Sequence, residues 1–377
     1  MKAVIAIDSF KESLTSLQAG HAAAAGIRAA MPEAETRVIP LADGGEGTME
    51  ALLAGLGGER ISLRVTGPLG ESIDSSYGLL SDGKTAVMEM ALAAGLPLVP
   101  AGQRNPLHTT TFGVGELILD ALDRGCREFF IGIGGSATND GGLGMLSALG
   151  ARFHDHAGKP VGIFGRDVER TASADLSTLD PRLADCRFRI ACDVSNPLCG
   201  PNGASAVFGP QKGASAEIVA RLDAALAAFA RLLGEAAALL PGSGAAGGLG
   251  YAFRLLPHAE LLGGAELVCD ITGLERAIQK ADIVVTGEGR LDEQTTMGKG
   301  PGVVARLAAK HARPVIAFAG CLADSAPLCN RTGIDAFFAI QRGPATLEEA
   351  LDIVNAEANL RAAAEQAFRL IAAAKRL

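Results

Sequence analysis

The chain has 377 residues, yet it contains no tryptophan, only two tyrosines and only 4% aromatic residues. Basic residues are also in deficit. The formal net charge is −8, and no stretch of the chain is rich in Lys and Arg. A protein that binds nucleic acid needs a positively charged footprint. The composition therefore predicts that this protein has no nucleic-acid partner.

Long hydrophobic runs are missing as well. The start of the chain, MKAVIAIDSF, carries five apolar residues before Asp8, which is too short for a secretory leader and is typical of a strand. The most apolar helical segment, 222–240, includes Asp223, Arg231 and Glu235, so it is not expected to cross a membrane. The seven cysteines form no C-x-x-C pair, a pattern typical of reduced thiols. We expect a cytoplasmic protein with no membrane partner.

Glycine and apolar residues are abundant. The chain has 48 glycines, grouped in tight clusters rather than in a repeat, and 48% of its residues are hydrophobic. Clustered glycines indicate loops in which the main chain turns sharply or approaches another group closely. A chain of this length is typical of two domains.

The two ends of the chain alternate apolar strands with alanine-rich helices, which predicts a parallel sheet covered on both faces. The predicted strands are 2–7, 37–41, 282–285, 314–318 and 336–340. The predicted helices are 15–31, 48–56 and 302–310, and residues 347–376 are predicted to be largely helix. The middle of the chain differs, because residues 64–90 show the short runs and turns of antiparallel hairpins. A helix over 114–124 and the strand EFFIGI follow.

The predicted fold class is therefore α/β. One domain comprises residues 1–65 and 276–377 and contains the parallel sheet. A mixed α/β domain, residues 66–275, is inserted into it. We expect the active site in a cleft between these two domains.

Three segments match nucleotide-binding motifs, and each has a simpler explanation. GLLSDGKT (78–85) has the letters of a P-loop, but SDGK is typical of a hairpin turn and TAVMEM of a following strand. GSGAAG (242–247) follows a helix and Pro241, whereas a dinucleotide-binding motif follows a strand. GIGGSA (132–137) does follow a strand, and Asp155 lies 18 residues further on, near the spacing of a ribose-binding acid. TNDGG, however, occupies the place where the helix should begin.

Charged residues follow several strands of the predicted parallel sheet. Asp8, Ser9 and Lys11 follow the first strand, residues 43–47 (DGGEG) follow the second, and residues 286–292 (TGEGRLD) follow a late one. Ligands bind beyond the carboxyl ends of the strands in such sheets. Carboxylates, glycine-rich turns and a few cations are what Mg-nucleotide chemistry requires.

Plain structural roles remain open for these residues. Asp8 can cap the following helix, and Arg290 with Asp292 can form a surface ion pair of little energetic value. Asp193 and Lys212 lie in a segment, 192–214, that can equally be a structured loop. His154 and His156 lack the further ligands that a metal site would need, so they are interpreted as surface residues.

Six motifs together resemble the bacterial glycerate kinase family of type I. They are DSFKESLTS (8–16), PLADGGEGT (40–48), GGSATNDGGLGML with the following ALG (134–150), CDVSNPLCGPNGA with FGPQKGA (192–214), PGSGAAGGLG (241–250) and TGEGRLDEQT with GK (286–299). They occur in the order of the family and span nearly the whole chain. The resemblance implies a flavodoxin-like terminal domain and an inserted domain of restriction-enzyme-like topology. It also implies phosphorylation of D-glycerate by ATP with Mg²⁺, with 2-phosphoglycerate favoured as product.

On this basis we predict the site residues. Lys11 and Arg290 are candidates to bind the glycerate carboxylate, and Asp43 or Asp193 to orient or deprotonate the attacking hydroxyl. Asp8, Glu288 and Asp292 are the candidate magnesium ligands. The candidate substrate- and phosphate-binding residues are Ser9, Gly44, Gly45, Gly134, Gly135, Ser136, Thr138, Asn139, Asp140, Gly141, Gly142, Lys212, Gly287 and Gly289.

The glycine cluster around Asn139 and Asp140 is expected to wrap phosphate or substrate with main-chain N–H groups. Valine at Gly134 or at Gly141 is then expected to raise KM while leaving the protein folded. Two other functions stay open at this stage. One is an NAD(P)-dependent oxidoreductase that uses GIGGSA and Asp155, and the other is a two-lobed protein that binds a small molecule without catalysis.

Overall fold

The structure is a computed structural model that describes residues 1–296 and 298–376. The chain divides into two compact units. The terminal unit comprises Met1–Asp43, Ala54–Leu56 and Ala265–Leu377, and the central unit comprises Gly44–Leu53 and Gly57–Gly264. Within the described residues, no helix is both long enough and apolar enough to cross a bilayer.

The described strands and helices are numbered in chain order. The strands are β1 (Lys2–Ile7), β2 (Glu35–Val38), β3 (Gly58–Thr66), β4 (Ser72–Leu80), β5 (Thr85–Glu89), β6 (Glu128–Gly132), β7 (Arg152–His154), β8 (Ser173–Asp175), β9 (Arg187–Ala191), β10 (Ala259–Leu262), β11 (Ile283–Leu291), β12 (Val315–Leu322) and β13 (Ala336–Ala339). The α-helices are α1 (Ser16–Ala30), α2 (Thr48–Leu56), α3 (Ala91–Ala94), α4 (Phe112–Asp123), α5 (Leu143–Ala148), α6 (Gly165–Val168), α7 (Ala204–Phe208), α8 (Ala216–Leu233), α9 (Glu235–Ala238), α10 (Ala245–Arg254), α11 (Gly264–Ile271), α12 (Leu274–Gln279), α13 (Glu293–Thr296), α14 (Gly300–Lys310), α15 (Leu347–Leu351) and α16 (Ile353–Ala374). Short 3-10 helices occupy Leu96–Leu98, Ala101–Gln103, Pro106–His108, Pro181–Asp185, Pro210–Lys212 and Ala326–Thr332.

The terminal unit is built on a five-stranded sheet in the order β13-β12-β11-β1-β2, and all of its strand pairs are parallel. Counted along the chain this is the order 2-1-3-4-5 of flavodoxin-like sheets, which confirms the predicted fold class. The central strands are almost continuously apolar because helices cover both faces. Helices α1 and α16 pack on one face, over Ile5 and Phe318, and α11, α12 and α14 pack on the other, over Ala6 and Val284.

Helix α1 illustrates how local sequence sets these elements. Thr15 caps its N-terminus, and Gln18 completes a capping box by accepting a hydrogen bond from the Thr15 backbone. The helix ends at Ala30, shortly before Pro32, which cannot continue it. The predicted helix at 15–31 is therefore confirmed.

Two predicted boundaries in the terminal unit are wrong. The second strand is Glu35–Val38 rather than 37–41, because these residues pair in register with Lys2–Ile5. Residues 286–291 are not a loop, because β11 continues to Leu291 and pairs with β12 over that length. The prediction that residues 347–376 are largely helix is confirmed. Asp352 divides them into α15 and α16, and it caps α16 by accepting a hydrogen bond from the Asn355 N–H (2.9 Å).

The central unit contains a six-stranded mixed sheet in the order β10-β9-β6-β5-β4-β3. Strands β3, β4 and β5 form antiparallel hairpins, and β5, β6, β9 and β10 are parallel neighbours. Aromatic rings pack in its core, where the centroids of Phe129 and Phe188 are 4.8 Å apart. The prediction of a mixed α/β architecture is confirmed.

The P-loop-like letters at 78–85 form the turn between β4 and β5. The Gly83 N–H donates to the Leu80 carbonyl (2.9 Å), and Asp82 Oδ1 accepts from the N–H groups of Lys84 (2.8 Å) and Thr85 (2.9 Å). A strand rather than a helix follows, so this segment is a hairpin and not a phosphate-binding loop.

The extension of β11 generates a first prediction. A Cβ atom at Gly287 would lie 2.1 Å from the Phe318 carbonyl oxygen of β12, whereas a Cβ atom at Gly289 would make ordinary contacts of 3.7 Å or more. Gly287→Ala is therefore expected to lower the free energy of unfolding by about 2 kcal/mol, because a rigid backbone atom must move. Gly289→Ala, on the same strand, is the matched control and should change it by less than about 0.5 kcal/mol. Urea unfolding curves measure both, and equal stabilities for the two variants would contradict the assigned register.

Candidate functional site

The order of the strands in the terminal unit points to one edge of the sheet. The chain runs from β1 through α1 to β2 on one side, and β11 lies on the other side of β1, so the winding direction reverses between β1 and β11. Open α/β sheets bind ligands beyond the carboxyl ends of the strands at such a reversal. A cavity of about 630 Å³ opens there, a volume suited to a small-molecule site.

Several predicted site residues meet in this cavity. The predicted residues that line it are Asp8, Ser9, Lys11, Asp43, Glu288, Gly289, Arg290 and Asp292. Gly287 does not line it, because it lies in the interior of β11 and its missing side chain allows close packing on Phe318.

Asp8 follows β1 and is the most perturbed acid of the cavity. Its pKa is raised to about 7, chiefly by burial and then by the negative charge of Asp43, with a smaller contribution from Glu288. The Ser9 N–H, which donates to Asp8 Oδ1 (2.7 Å), and the charge of Lys11 oppose this rise. The carboxylates are thus crowded enough to favour a proton or an added cation.

Glu288 and Asp292 are held by local hydrogen bonds. The buried Glu288 accepts a hydrogen bond from Thr295 Oγ1 (2.5 Å). Burial raises the pKa of Glu288, whereas this hydrogen bond and the positive charge of Lys299 oppose the rise. Asp292 Oδ1 accepts from the Gln294 N–H (2.9 Å), as a residue that precedes a helix commonly does. Its other oxygen, Oδ2, lies 3.9 Å from Nε of Arg290, whose side chain is 65% exposed, so this is a weak ion pair.

The predicted magnesium ligands do not form a ready-made metal centre. Among residues 1–296 and 298–376, no group of three or more His, Cys, Asp or Glu side chains is placed to hold a metal ion. Mg²⁺ that accompanies a nucleotide needs only one or two protein carboxylates, since water and phosphate oxygens supply the other ligands. Asp8, with the acids that crowd it, suits this second arrangement, because a cation would offset the burial and the repulsion that together raise its pKa.

Two features of the cavity were not predicted. Lys299 lines it from the N-cap position of α14, and the glycines on either side of it, in GKG, were the available signal. An apolar wall that includes Ile340, Leu347 and Leu351 was missed, because residues 347–376 were predicted only as largely helix and no ligand role was assigned to them.

In the central unit, the glycine-rich segment 132–145 connects β6 to α5. Gly134 and Gly135 are exposed, and a Cβ atom at Gly134 would contact nothing within 4 Å. The turn is anchored by main-chain hydrogen bonds from the Leu96 N–H to the Gly135 carbonyl (2.8 Å) and from the Ala137 N–H to the Ala94 carbonyl (2.9 Å). These two glycines are therefore the part of the segment that is open to a ligand.

Asp140 has a supporting role that differs from the prediction. It is buried and accepts hydrogen bonds from the Thr111 N–H (2.8 Å) and Oγ1 (2.7 Å) and from the N–H groups of Gly142 (3.1 Å) and Gly144 (3.2 Å). These bonds tie the segment to the start of α4 and leave the carboxylate inside the unit. Burial raises the pKa of Asp140, and the same hydrogen bonds oppose that rise.

Gly141 and Gly142 are also packed rather than open. Both have a positive φ (62° and 74°), and Cβ atoms there would lie 2.8 Å from Leu226 Cδ2 and 2.2 Å from Ala252 Cβ respectively. Gly141→Val is therefore expected to destabilise the fold, whereas Gly134 has room for a side chain.

Lys212 lies beneath the exposed turn. Its side chain is only 2% exposed, and its Nζ donates to Ser136 Oγ (2.8 Å) and to the Thr138 carbonyl (2.6 Å). Burial lowers the pKa of Lys212 to about 7, although the charge of Asp140 opposes this. Asn139 is likewise internal and donates from Nδ2 to Ser205 Oγ (2.8 Å). Lys212, Thr138 and Asn139 thus support the turn from inside.

The remaining candidates of the central unit lie in other loops. Asp193 is exposed, and its Oδ1 accepts a hydrogen bond from the Gly264 N–H (2.8 Å). Gly44 has a φ of 82°, and a Cβ atom there would lie 2.4 Å from Ala191 Cβ, so this turn requires glycine. Gly45, next to it, is partly exposed.

The dinucleotide-like motifs have structural explanations. After GIGGSA the helix α5 begins only at Leu143, and Asp155 serves a turn by accepting from the N–H groups of Ala157 (2.9 Å) and Lys159 (3.0 Å). In GSGAAG, Gly247 has a φ of 68°, and its missing side chain allows contact with the Thr138 carbonyl. Neither motif has the strand–turn–helix form of a dinucleotide site.

The sheet order and the charged cavity at its reversal define an α/β protein with a small-molecule site in its terminal unit. The sequence model of the glycerate kinase family matches residues 3–372. The chain is 48% identical to a glycerate kinase of Haemophilus influenzae, with 99% of each chain covered. It is 49% identical to a glycerate 2-kinase of Escherichia coli K12, with 93% of each covered.

A solved structure agrees. The crystal structure of a Salmonella typhimurium LT2 protein that carries the name glycerate kinase 2 superposes with a TM-score of 0.92 at 47% identity, over 100% of both chains. The chain therefore belongs to the glycerate kinase family, and the resemblance drawn from its motifs is confirmed.

The buried lysine generates a second prediction. Between its folded pKa of about 7 and its unfolded value near 10.5, the unfolded chain holds a proton on Lys212 that the folded chain has lost. The free energy of unfolding should therefore rise as the pH increases through this window, by up to about 1.4 kcal/mol per pH unit. Below pH 7 the folded protein should bear the full destabilisation of burying a charged Lys212.

Lys212→Met removes this titration, so the difference in unfolding free energy between wild type and variant should shift in favour of wild type from pH 7 to pH 9.5. Urea unfolding at pH 6.5, 8.0 and 9.5 measures it. The exposed Lys84, replaced by Met, is the control and should show no such trend. A pH-independent difference for Lys212→Met would refute the lowered pKa.

Proposed function

We propose that this protein transfers the γ-phosphoryl group of ATP to a hydroxyl of D-glycerate, and that 2-phosphoglycerate is the product. The observation that carries the proposal is the cavity at the β1–β11 reversal, where Asp8, Asp43 and Glu288 line the same space as Lys11 and Arg290. Family membership and the names of the relatives support the same substrate.

The cations have two anionic partners in such a reaction. Glycerate brings a carboxylate and ATP brings its phosphates, and Lys11 and Arg290 line the cavity with exposed side chains that can reach either. Arg can bind a carboxylate through two parallel hydrogen bonds, so Arg290 is the better candidate for glycerate. Lys11 then neutralises charge on the transferred group.

The attacking hydroxyl needs to be oriented and relieved of its proton. Asp43 lines the cavity and is exposed, which suits a group that accepts a hydrogen bond from the substrate hydroxyl. Asp193 of the central unit is the second candidate. Because phosphoryl transfer depends mostly on positioning and charge neutralisation, either carboxylate can act mainly by orienting the hydroxyl.

Asp8 and Glu288 are the residues that would hold Mg²⁺ together with the phosphates of ATP. When bound, the ion supplies positive charge that offsets the negative charge of the phosphoryl group in transfer. The raised pKa values of both acids support this assignment, because a nearby cation would favour their charged forms.

The central unit is proposed to contribute main-chain donors. Gly134 and Gly135 form an open turn, and Gly45 lies in a second one. Backbone N–H groups of such turns bind phosphate or carboxylate oxygens. That these turns and the terminal cavity share one substrate, with domains divided at residues 65 and 276, stays a prediction.

The test is glycerate-dependent release of ADP by the purified protein with Mg²⁺. We expect ADP only when D-glycerate is present, and carbon NMR of the product should show phosphorus coupling centred on C2. Release of NADH with glycerate and NAD⁺ would instead point to an oxidoreductase. Binding of glycerate without turnover would point to a non-catalytic binding protein, and either result would overturn the proposal.

The role of Asp43 gives a sharper prediction. Asp43→Asn keeps the shape but removes the charge, so kcat should fall about 100-fold or more if this carboxylate orients and deprotonates the hydroxyl. Comparison of kcat in Asp193→Asn and Asp43→Asn identifies which of the two acids orients and deprotonates the hydroxyl. Glu293→Gln is the matched control, because Glu293 is an exposed acid that follows Asp292 and does not line the cavity. Near-normal kcat in both aspartate variants would remove them as catalytic residues.

A further inference from the structure

The cavity of the terminal unit has a second wall that the roles above leave unused. Leu347, Ala350 and Leu351 of α15, with Ile340 after β13, line it with apolar side chains. The carboxylates and cations line the same cavity from the ends of β1 and β11. One cavity therefore combines a charged region with an apolar one.

Leu347 stands out within this wall. Its side chain is 75% exposed, although it is large and apolar. The backbone around it is nevertheless well fixed, because Thr346 caps α15. The Glu349 N–H donates to Thr346 Oγ1 (3.2 Å), and the Thr346 N–H donates to Glu349 Oε2 (2.8 Å). The chain thus holds a leucine at the edge of the cavity without burying it.

A ligand that covers this wall must be apolar at one end and anionic at the other. Glycerate is too small and too polar to do so, since all three of its carbons carry oxygen. A nucleoside triphosphate has the required form, and the cavity volume of about 630 Å³ falls within the range of small-molecule sites. We propose that Leu347, Ala350 and Leu351 form the subsite for the purine base of ATP.

In this arrangement the triphosphate extends from the base toward Lys11, Arg290 and Lys299, which line the same cavity. The inference rests on the proposed use of ATP and adds where its base binds. It also explains the exposed leucine, since a flat apolar base that covers Leu347 removes its side chain from water.

The first test separates binding of the base from binding of the phosphates. Titration calorimetry compares ADP with inorganic triphosphate, both with Mg²⁺, on wild type and on Leu347→Asn. We expect the variant to bind ADP about tenfold more weakly and inorganic triphosphate equally well, because only ADP contacts the leucine. Leu370→Asn is the matched control, since Leu370 is 66% exposed on α16 and does not line the cavity. It should bind both ligands as wild type does.

A second test uses a chemical probe inside the cavity. Cys321 lines it and is exposed, whereas Cys192 and Cys199 are partly exposed in the central unit. ADP should slow the alkylation of Cys321 by iodoacetamide, measured by peptide mass spectrometry, and Leu347→Asn should need about tenfold more ADP for the same protection. The rates at Cys192 and Cys199 serve as internal references.

Unchanged affinity for ADP in Leu347→Asn, or an equal loss of affinity for inorganic triphosphate, would overturn the base subsite. The base subsite would also be overturned if Leu347→Asn changed the sedimentation coefficient of the protein but not its affinity for ADP. The apolar wall would then contact a second copy of the chain. None of these results affects glycerate-dependent ADP release by the wild type. Absence of that release with intact ADP binding would defeat the proposed function and leave the base subsite standing.

Discussion

The parallel pairing of β1 with β11 is the constraint on which the site in the terminal unit depends. Ile7 pairs with Gly287, and the Asp8 N–H donates to the Gly287 carbonyl (2.8 Å). This register brings Asp8 beside Glu288, a residue 280 positions further along the chain. Glycine at 287 allows β12 to pack on the other side of β11, because a Cβ atom there would lie 2.1 Å from the Phe318 carbonyl oxygen. Once the two strands pair, the acids at their ends have to share one small volume.

That crowding has an electrostatic cost, and the cost indicates function. Burial and the charges of Asp43 and Glu288 raise the pKa of Asp8 to about 7, while Lys11 only partly offsets them. A fold selected for stability alone gains nothing from such a cluster, whereas acids with shifted pKa values are common where ligands and cations bind. The apolar wall of the same cavity shows the complementary cost, because Leu347 is exposed to water until something covers it.

In the central unit, two of the predicted polar site residues are buried and support the backbone of the glycine-rich segment. Asp140 and Lys212 are both buried. Asp140 accepts hydrogen bonds that tie the glycine-rich segment to Thr111, and Lys212 donates to Ser136 Oγ and to the Thr138 carbonyl. Gly134 and Gly135 are the residues they leave open. A polar residue in a glycine-rich motif can thus act by fixing the backbone of that motif, which is a role that the residue type alone does not reveal.

The six motifs were enough to identify the family. Apolar periodicity and turn residues predicted the parallel and mixed sheets and the hairpin at 78–85, because these signals act over short distances along the chain. The sequence also located Asp8, since a polar residue directly after an apolar strand falls at one edge of a parallel sheet. The folded chain was needed to show that β11 continues through Gly287, that Asp140 is buried and that Leu347 lines the cavity. These facts depend on which distant segment packs against each residue, and no local pattern carries that information.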